Sequence, residues 1–180
     1  MHGGEADEKN GIDLLVEFEP GRSLLDHAGL WLELQELLGC KVDVVSDRGI
    51  KTAHPGASLT VGSSSVRDPN ERLMDILDAI DRIERYAERG RDALEIDELV
   101  QVWMVHHIQI IGEAAARLGR DFHEAYPEVP WAQIVAMRNI LVHEYFGVDL
   151  DEVWQVVDRD LPILKSQVER LLEVMKERSS

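Results

Sequence analysis

The sequence predicts an all-α protein, an antiparallel helical bundle preceded by a small N-terminal β-α-β unit. Two observations carry this. From Asp68 onward apolar residues recur at three- and four-residue spacing, punctuated by helix caps, whereas residues 11–46 alternate between strand-like and helix-like periods. A chain of 180 residues has room for one good core and a small appendage. The expected organisation is a fragment over 1–46, a linker over 47–66 and a helical domain over 67–180.

Within the fragment, Ile12-Asp-Leu-Leu-Val-Glu-Phe18 is rich in strand formers, Ser23 to Leu38 carries leucines at helical spacing with Gly39 as a stop, and Lys41-Val-Asp-Val-Val45 alternates. Residues 47–66 are a Gly/Ser/Thr mixture without a sustained period.

The helical domain opens with Asp68-Pro69-Asn70-Glu71, an N-cap followed by a first-position proline and a glutamate three residues after the cap. Leu73, Ile76, Leu77, Ile80 and Ile83 then form one stripe, which Gly90 ends. Asp97 caps a second long helix with Val100, Trp103, Met104, His107, Ile108, Ile111, Ala115 and Leu118 on its buried face and Gly119 at its close. Phe122 to Tyr126 reads as one short turn. A third long helix starts near Pro130-Trp131 and runs at least to Val142. Asp149-Leu-Asp-Glu152 reads as a capping box for a last helix with Val153, Val156, Val157, Leu161, Leu164, Val168, Leu171, Leu172 and Met175 inside, kinked at Pro162. Short connections force consecutive helices to be antiparallel neighbours. Trp103 and Trp154 fall on the stripes and are assigned to the core.

Composition excludes several classes. No apolar run approaches the roughly 20 residues of a membrane-spanning helix, so no membrane partner is expected. The acidic start lacks the features of a secretory signal and Cys40 is the single cysteine, which together indicate a cytoplasmic protein. A net charge of -16 leaves no extended basic stripe for a phosphate backbone. Any RNA chemistry must therefore rest on a local cluster.

That cluster is sought in Met137-Arg-Asn-Ile-Leu-Val-His-Glu-Tyr-Phe146. At ~100° per residue, a continuous helix with Arg138 at zero puts Asn139 at ~100°, His143 at ~140° and Tyr145 at ~340°, all within an arc of ~160°. RNA cleavage without a metal needs a base for the 2′-hydroxyl proton, a cation for the phosphorane and an acid for the departing 5′-oxygen. An imidazole such as that of His143 titrates near neutrality and serves as base or acid, and the planar guanidinium of Arg138 suits phosphate oxygens. Asn139, four residues before His143, can orient the imidazole, and Tyr145 can donate to phosphate. Taken alone, an Arg and a His near a helix end more often satisfy carbonyls or an ion pair.

The string Arg138-x4-His143-x-Tyr145 resembles the R-x4-H-x-Y signature of HepT toxins, a branch of the HEPN superfamily. The likeness extends to Asp75-Ile-Leu-Asp-Ala-Ile80, Ile110-Ile-Gly-Glu-Ala114, Tyr126-Pro-Glu-Val-Pro-Trp131 and Asp149 to Pro162, and so covers essentially all of 67–175. The resemblance implies a HEPN-type helical bundle that forms a homodimer, with two copies of the motif facing each other in a cleft. It further implies endoribonuclease activity on RNA, not DNA, with no metal and no cofactor. On that reading Arg138 and His143 are catalytic and Asn139 and Tyr145 support them. Two Arg138 side chains in one cleft would supply the local positive field that net charge hides. The family also implies an MntA-like nucleotidyltransferase antitoxin as partner, which silences the toxin by attaching AMP to the motif tyrosine, here Tyr145.

Residues 11–46 are similar to part of such a nucleotidyltransferase. Minimal enzymes of that kind carry Gly-Ser, then Asp-x-Asp on a strand and a third Asp on a later strand, whose carboxylates hold Mg²⁺. Asp13 matches the second carboxylate and Asp43 the third, but Gly11 stands in place of the first and Met1 to Asn10 contain no Gly-Ser turn. The fragment is therefore expected to be catalytically dead, a truncated remnant that either docks on the helical domain or hangs loose.

His106 and His107 are adjacent, about 100° apart on a helix, and suit chelation poorly. His107 reads as a satisfied core histidine, the charges from Glu169 to Arg178 as a solvated face, and Cys40 has no local partner marking it as reactive. The competing functional reading is a catalytically silent helical interaction or nucleotide-binding module that associates with a nucleotidyltransferase.

Overall fold

A computed structural model describes residues 12–46, 68–143 and 148–178, with backbone only at Asp13, Val45 and His143. The expected linker at 47–66 and Tyr145 lie outside the described residues. The fold is mostly helical, as expected, with one two-stranded parallel sheet.

The N-terminal unit is β1 (Ile12–Val16), α1 (Leu24–Leu38) and β2 (Val42–Ser46). Ser23 and Asp26 form a reciprocal capping box that starts α1, and Gly39 ends it in the left-handed conformation (φ 62°) that glycine adopts without penalty. The strands pair in parallel with Asp13 opposite Asp43, so the two residues matched to nucleotidyltransferase carboxylates share one rung. Trp31 locks the crossover by donating its indole N–H to the Val42 carbonyl at 2.7 Å.

The bundle comprises α2 (Pro69–Ala87), α3 (Arg91–Ile96), α4 (Glu98–Leu118), α5 (Arg120–Ala125), α6 (Trp131–His143), α7 (Leu150–Gln155) and α8 (Leu161–Arg178). Asp68, Asp97 and Asp149 cap α2, α4 and α7 as expected. Ile76, Ile80, Ile83, Met104, Ile108, Ile111, Met137 and Leu141 form the centre of the core. Helix α6 packs against α4 and α1, and its Ile134 and Leu141 are both buried. A helix covered on two sides needs no single amphipathic stripe, which fits the spread of apolar residues around α6, with Gln133, Arg138, Asn139 and His143 set among them.

Two expectations require amendment. Gly90 does not simply end the first helix; with φ 82° it redirects the chain into α3, a short helix that the stripes do not signal. Glu152 does not close a capping box. Its Oε2 lies 3.0 Å from Nδ1 of His27, both side chains being buried, while Asp149 alone caps α7. The irregularity expected at Pro162 takes the form of a π-helical turn, Val156–Asp160, in which the Leu161 N–H reaches the Val156 carbonyl. Proline removes a backbone donor, and a widened turn just ahead of it accommodates the ring.

The N-terminal unit is docked on the bundle. Leu24 and Ala28 are buried in its core, and Gly29 packs against the Gln133 side chain on α6. From the π turn, Arg159 donates to the Gly21 carbonyl, Ser23 Oγ and Asp26. Ser46 donates to Asp149 at 3.4 Å. His27 Nε2 lies 2.9 Å from the Val44 carbonyl and must donate to it, because a carbonyl oxygen only accepts. The proton between His27 Nδ1 and Glu152 is then shared by one buried pair. Burial pushes the Glu152 carboxyl above its ordinary range, and its bond to His27 acts in the opposite direction.

Candidate active site

The position of Arg138 is set by two features of neighbouring helices. Trp131 at the start of α6 is held by its indole N–H donating to the Tyr126 carbonyl at 2.9 Å and by the His123 ring stacked on it, which fixes where the helix begins. Two turns later α6 meets α4 at Gly112. A Cβ at that position would lie 2.3 Å from Cβ of Arg138 and 3.0 Å from the Ile134 carbonyl oxygen, so only glycine permits this approach. Gln109, one turn earlier on α4, donates to the Leu141 carbonyl at 3.3 Å and so serves one of the last carbonyls of α6.

The close approach presents the Arg138 guanidinium to α4. Its Nη1 donates to Asn139 Oδ1 at 2.9 Å, and its Nη2 lies 3.2 Å from Glu113 Oε2. The other oxygen of the same carboxylate accepts from Arg117 Nε at 2.8 Å. Arg138 and Glu113 are 27% and 30% exposed, so the pair is reachable by a solute. Two partners leave the guanidinium with donors to spare for an anion.

Arg138, Glu113 and Arg117 line an open groove of about 700 Å³ between α2, α4 and α6. Arg72, Asp75, Asp78 and Arg82 of α2 and His106 of α4 also line it. In a chain of net charge -16 this is a local concentration of guanidinium groups. Arg72 is buried and engaged with Asp75 at 3.4 Å.

Of the expected site residues, the structure brings Arg138 and Asn139 together and places His143 as the last residue of α6. The oxygen of Asn139 is used by Arg138. The sequence reading missed Glu113 and Arg117; the available signal was Gly112-Glu113 inside a helix, since an interior glycine marks close packing. His107 is buried and donates from Nδ1 to the Trp103 carbonyl at 2.8 Å, which makes it the satisfied core histidine expected. Burial pushes its pKa below the ordinary imidazole value, with the bond to Trp103 opposing and nearby His106, Arg82 and Arg85 adding to the depression. Asp43 is half exposed and lies 3.5 Å from Lys41. Among the described residues no group of His, Cys, Asp and Glu has the arrangement of a metal site, and no helix is long and apolar enough to cross a membrane.

The ribonuclease HepT-like family matches residues 76–171, from the middle of α2 into α8, and so includes the whole Gly112–Glu113–Arg138 arrangement. The chain belongs to this family. HepT-like proteins are ribonucleases, which fixes the enzyme class of the chain. A Methanocaldococcus jannaschii protein named "Putative RNase" is 38% identical over 106 residues, covering 58% of this chain and 97% of that one. "Probable ribonuclease HepT" of Thermococcus cleftensis is 37% identical over 106 residues, 58% of this chain and 96% of its own length. A longer M. jannaschii protein, "Gamma-glutamylcyclotransferase and putative RNase", is 37% identical over 108 residues; this chain spans about half of it, 49%. A 51-residue match at 49% identity joins the chain to 52% of a "Putative protein adenylyltransferase" of the same organism, which supports the nucleotidyltransferase likeness of the N-terminal unit. No solved structure matches the chain.

Proposed function

We propose that this HepT-like protein is a cytoplasmic, metal-independent endoribonuclease, the toxin of a HepT/MntA-type pair, which cuts RNA in a cleft where two copies meet. The observation that carries the reading is the Arg138 guanidinium, bracketed by Asn139 and Glu113 on the wall of an open groove, five residues before His143 on one helix.

The chemistry follows from the side chains. A base, assigned to His143, removes the 2′-hydroxyl proton; the 2′-oxygen bonds to phosphorus, the bond from phosphorus to the 5′-oxygen breaks, and the departing oxygen takes a proton from an acid. Arg138 neutralises the charge that accumulates on the phosphorane oxygens, where a fixed cation in a partly excluded site is most effective. All the proton and charge work is within reach of Arg and His side chains, which is the reason for assigning no metal. Pairing of two copies would double the guanidinium count and offset the acidic surface. Tyr145 is assigned the supporting role at phosphate and is the residue on which an MntA-like partner would place AMP; the added phosphate would oppose substrate phosphate at the same place.

The test uses purified full-length chain and RNA in EDTA. Cleavage is expected from the wild type and is expected to be lost in Arg138→Ala and His143→Ala with far-UV circular dichroism unchanged. Equal activity in either variant removes that residue's assignment, and wild-type inactivity favours a silent interaction module instead.

A further inference from the structure

Glu113 is an unusual partner for an arginine expected to meet phosphate, because its one carboxylate serves two guanidiniums. Oε1 accepts from Arg117 at 2.8 Å and Oε2 pairs with Arg138 at 3.2 Å. Arg117 lies four residues after Glu113 on α4, so the helix itself sets the two side chains on one face, while Arg138 arrives from α6. One negative charge against two positive ones leaves the cluster with an excess of one, on the groove wall. We propose that Arg117 is a second phosphate-binding group, engaging the RNA phosphate next to the scissile one, and that Glu113 is the positioning residue for both guanidiniums. The proposal rests on the ribonuclease reading for the identity of its ligand.

An Arg and a Glu at i, i+4 commonly make a solvated surface pair of little consequence. Arg120 and Glu124 provide that case in the same chain: 2.7 Å apart, 88% and 62% exposed, with neither lining the groove. Arg117 differs in three respects. Its carboxylate partner is shared, that partner is only 30% exposed, and the guanidinium borders the cavity that Arg138 also borders. A strand threading the groove meets Arg117 and Arg138 one carboxylate apart. Adjacent phosphates of single-stranded RNA are spaced closely enough to use both, and an acidic protein gains most from such paired sites.

The experiment measures binding of a fluorescent, fully 2′-O-methylated RNA oligomer to the full chain at several salt concentrations. The methyl group removes the nucleophile, so binding is read whether or not the protein cuts. Each phosphate contact contributes about 0.7 to the slope of log K against log salt for single strands. Arg117→Ala is expected to lower the slope by about 0.7, Arg117→Lys to retain it, and Arg120→Ala to leave it at the wild-type value. An unchanged slope in Arg117→Ala overturns the proposal even if the wild type cuts RNA. A lowered slope in a chain that cuts nothing keeps the anion site and removes the nuclease reading. For the positioning role, Glu113→Gln is expected to bind the oligomer more tightly, having lost a negative charge, while kcat on cleavable RNA falls by about tenfold or more because Arg138 loses its anchor. A residue that only stabilises the fold would weaken both together, and an unchanged kcat removes Glu113 from the site.

Discussion

Gly112 on α4 and Arg138 on α6 touch so closely that a methyl group at the first would lie 2.3 Å from Cβ of the second. The next residue after Gly112 is Glu113, which ion-pairs with Arg138. One dipeptide therefore sets both the spacing of the two helices and the orientation of the guanidinium.

Gly112→Ala tests this directly. In an ordinary exposed helix the change gains about 1 kcal/mol, because alanine is the better helix former. Here the new methyl meets backbone at 3.0 Å and the Arg138 Cβ at 2.3 Å, so α4 and α6 must part. Overpacking of this kind costs about 1–3 kcal/mol, and the sign reverses. Urea denaturation is expected to show a lower midpoint, and RNA cleavage is expected to fall more than the loss of folded protein accounts for. A stabilised variant with full activity would show that the two helices do not need this contact.

The buried His27–Glu152 pair is one of the contacts that join the N-terminal unit to the bundle. Glu152→Ala leaves the imidazole without that partner in a site that water does not reach, a change that costs about 3 kcal/mol when a buried pair is broken. Glu152→Gln is expected to cost less, since its amide can donate to Nδ1 while Nε2 still donates to Val44. Amide hydrogen exchange should show α1 losing protection in the alanine variant before α2 and α4 do. Uniform protection in all three proteins would mean that the pair contributes little to docking.

His107 gives a pH dependence of defined sign. Its folded pKa lies below the ordinary imidazole value of about 6.5, so the unfolded chain takes up a proton there that the folded chain refuses. Its contribution is fully present above that value and is lost as pH falls through the lower, folded pKa. Wild-type stability is expected to drop more than that of His107→Gln between about pH 7 and about pH 5, as read by chemical denaturation at each pH. Parallel curves for the two proteins would contradict a neutral, buried imidazole.

Much of this architecture was legible in the sequence because its signals are local. Asp68, Asp97 and Asp149 cap helices where short polar side chains reach the next free N–H groups, and Gly39 and Gly119 stop helices as expected. The start of α6 at Trp131 follows from Pro130. What escaped detection depends on partners distant in sequence. Glu152 has the spacing of a capping box, yet its side chain is taken by His27, 125 positions away, in a contact no window along the chain contains. Glu113 looks like an ordinary helix-surface acid until α6 is laid beside it. The motif itself gave Arg138 and Asn139 but not the carboxylate that aims the guanidinium.

The most direct measurement of the central claim is the chemistry of the ends produced when the purified chain cuts a defined RNA oligomer in EDTA. Attack by the 2′-oxygen with His143 as base and Arg138 on the phosphate predicts a 2′,3′-cyclic phosphate on one fragment and a free 5′-hydroxyl on the other, both absent with His143→Ala. A 5′-phosphate with a 3′-hydroxyl, or the same cyclic product from the His143 variant at the wild-type rate, would contradict it.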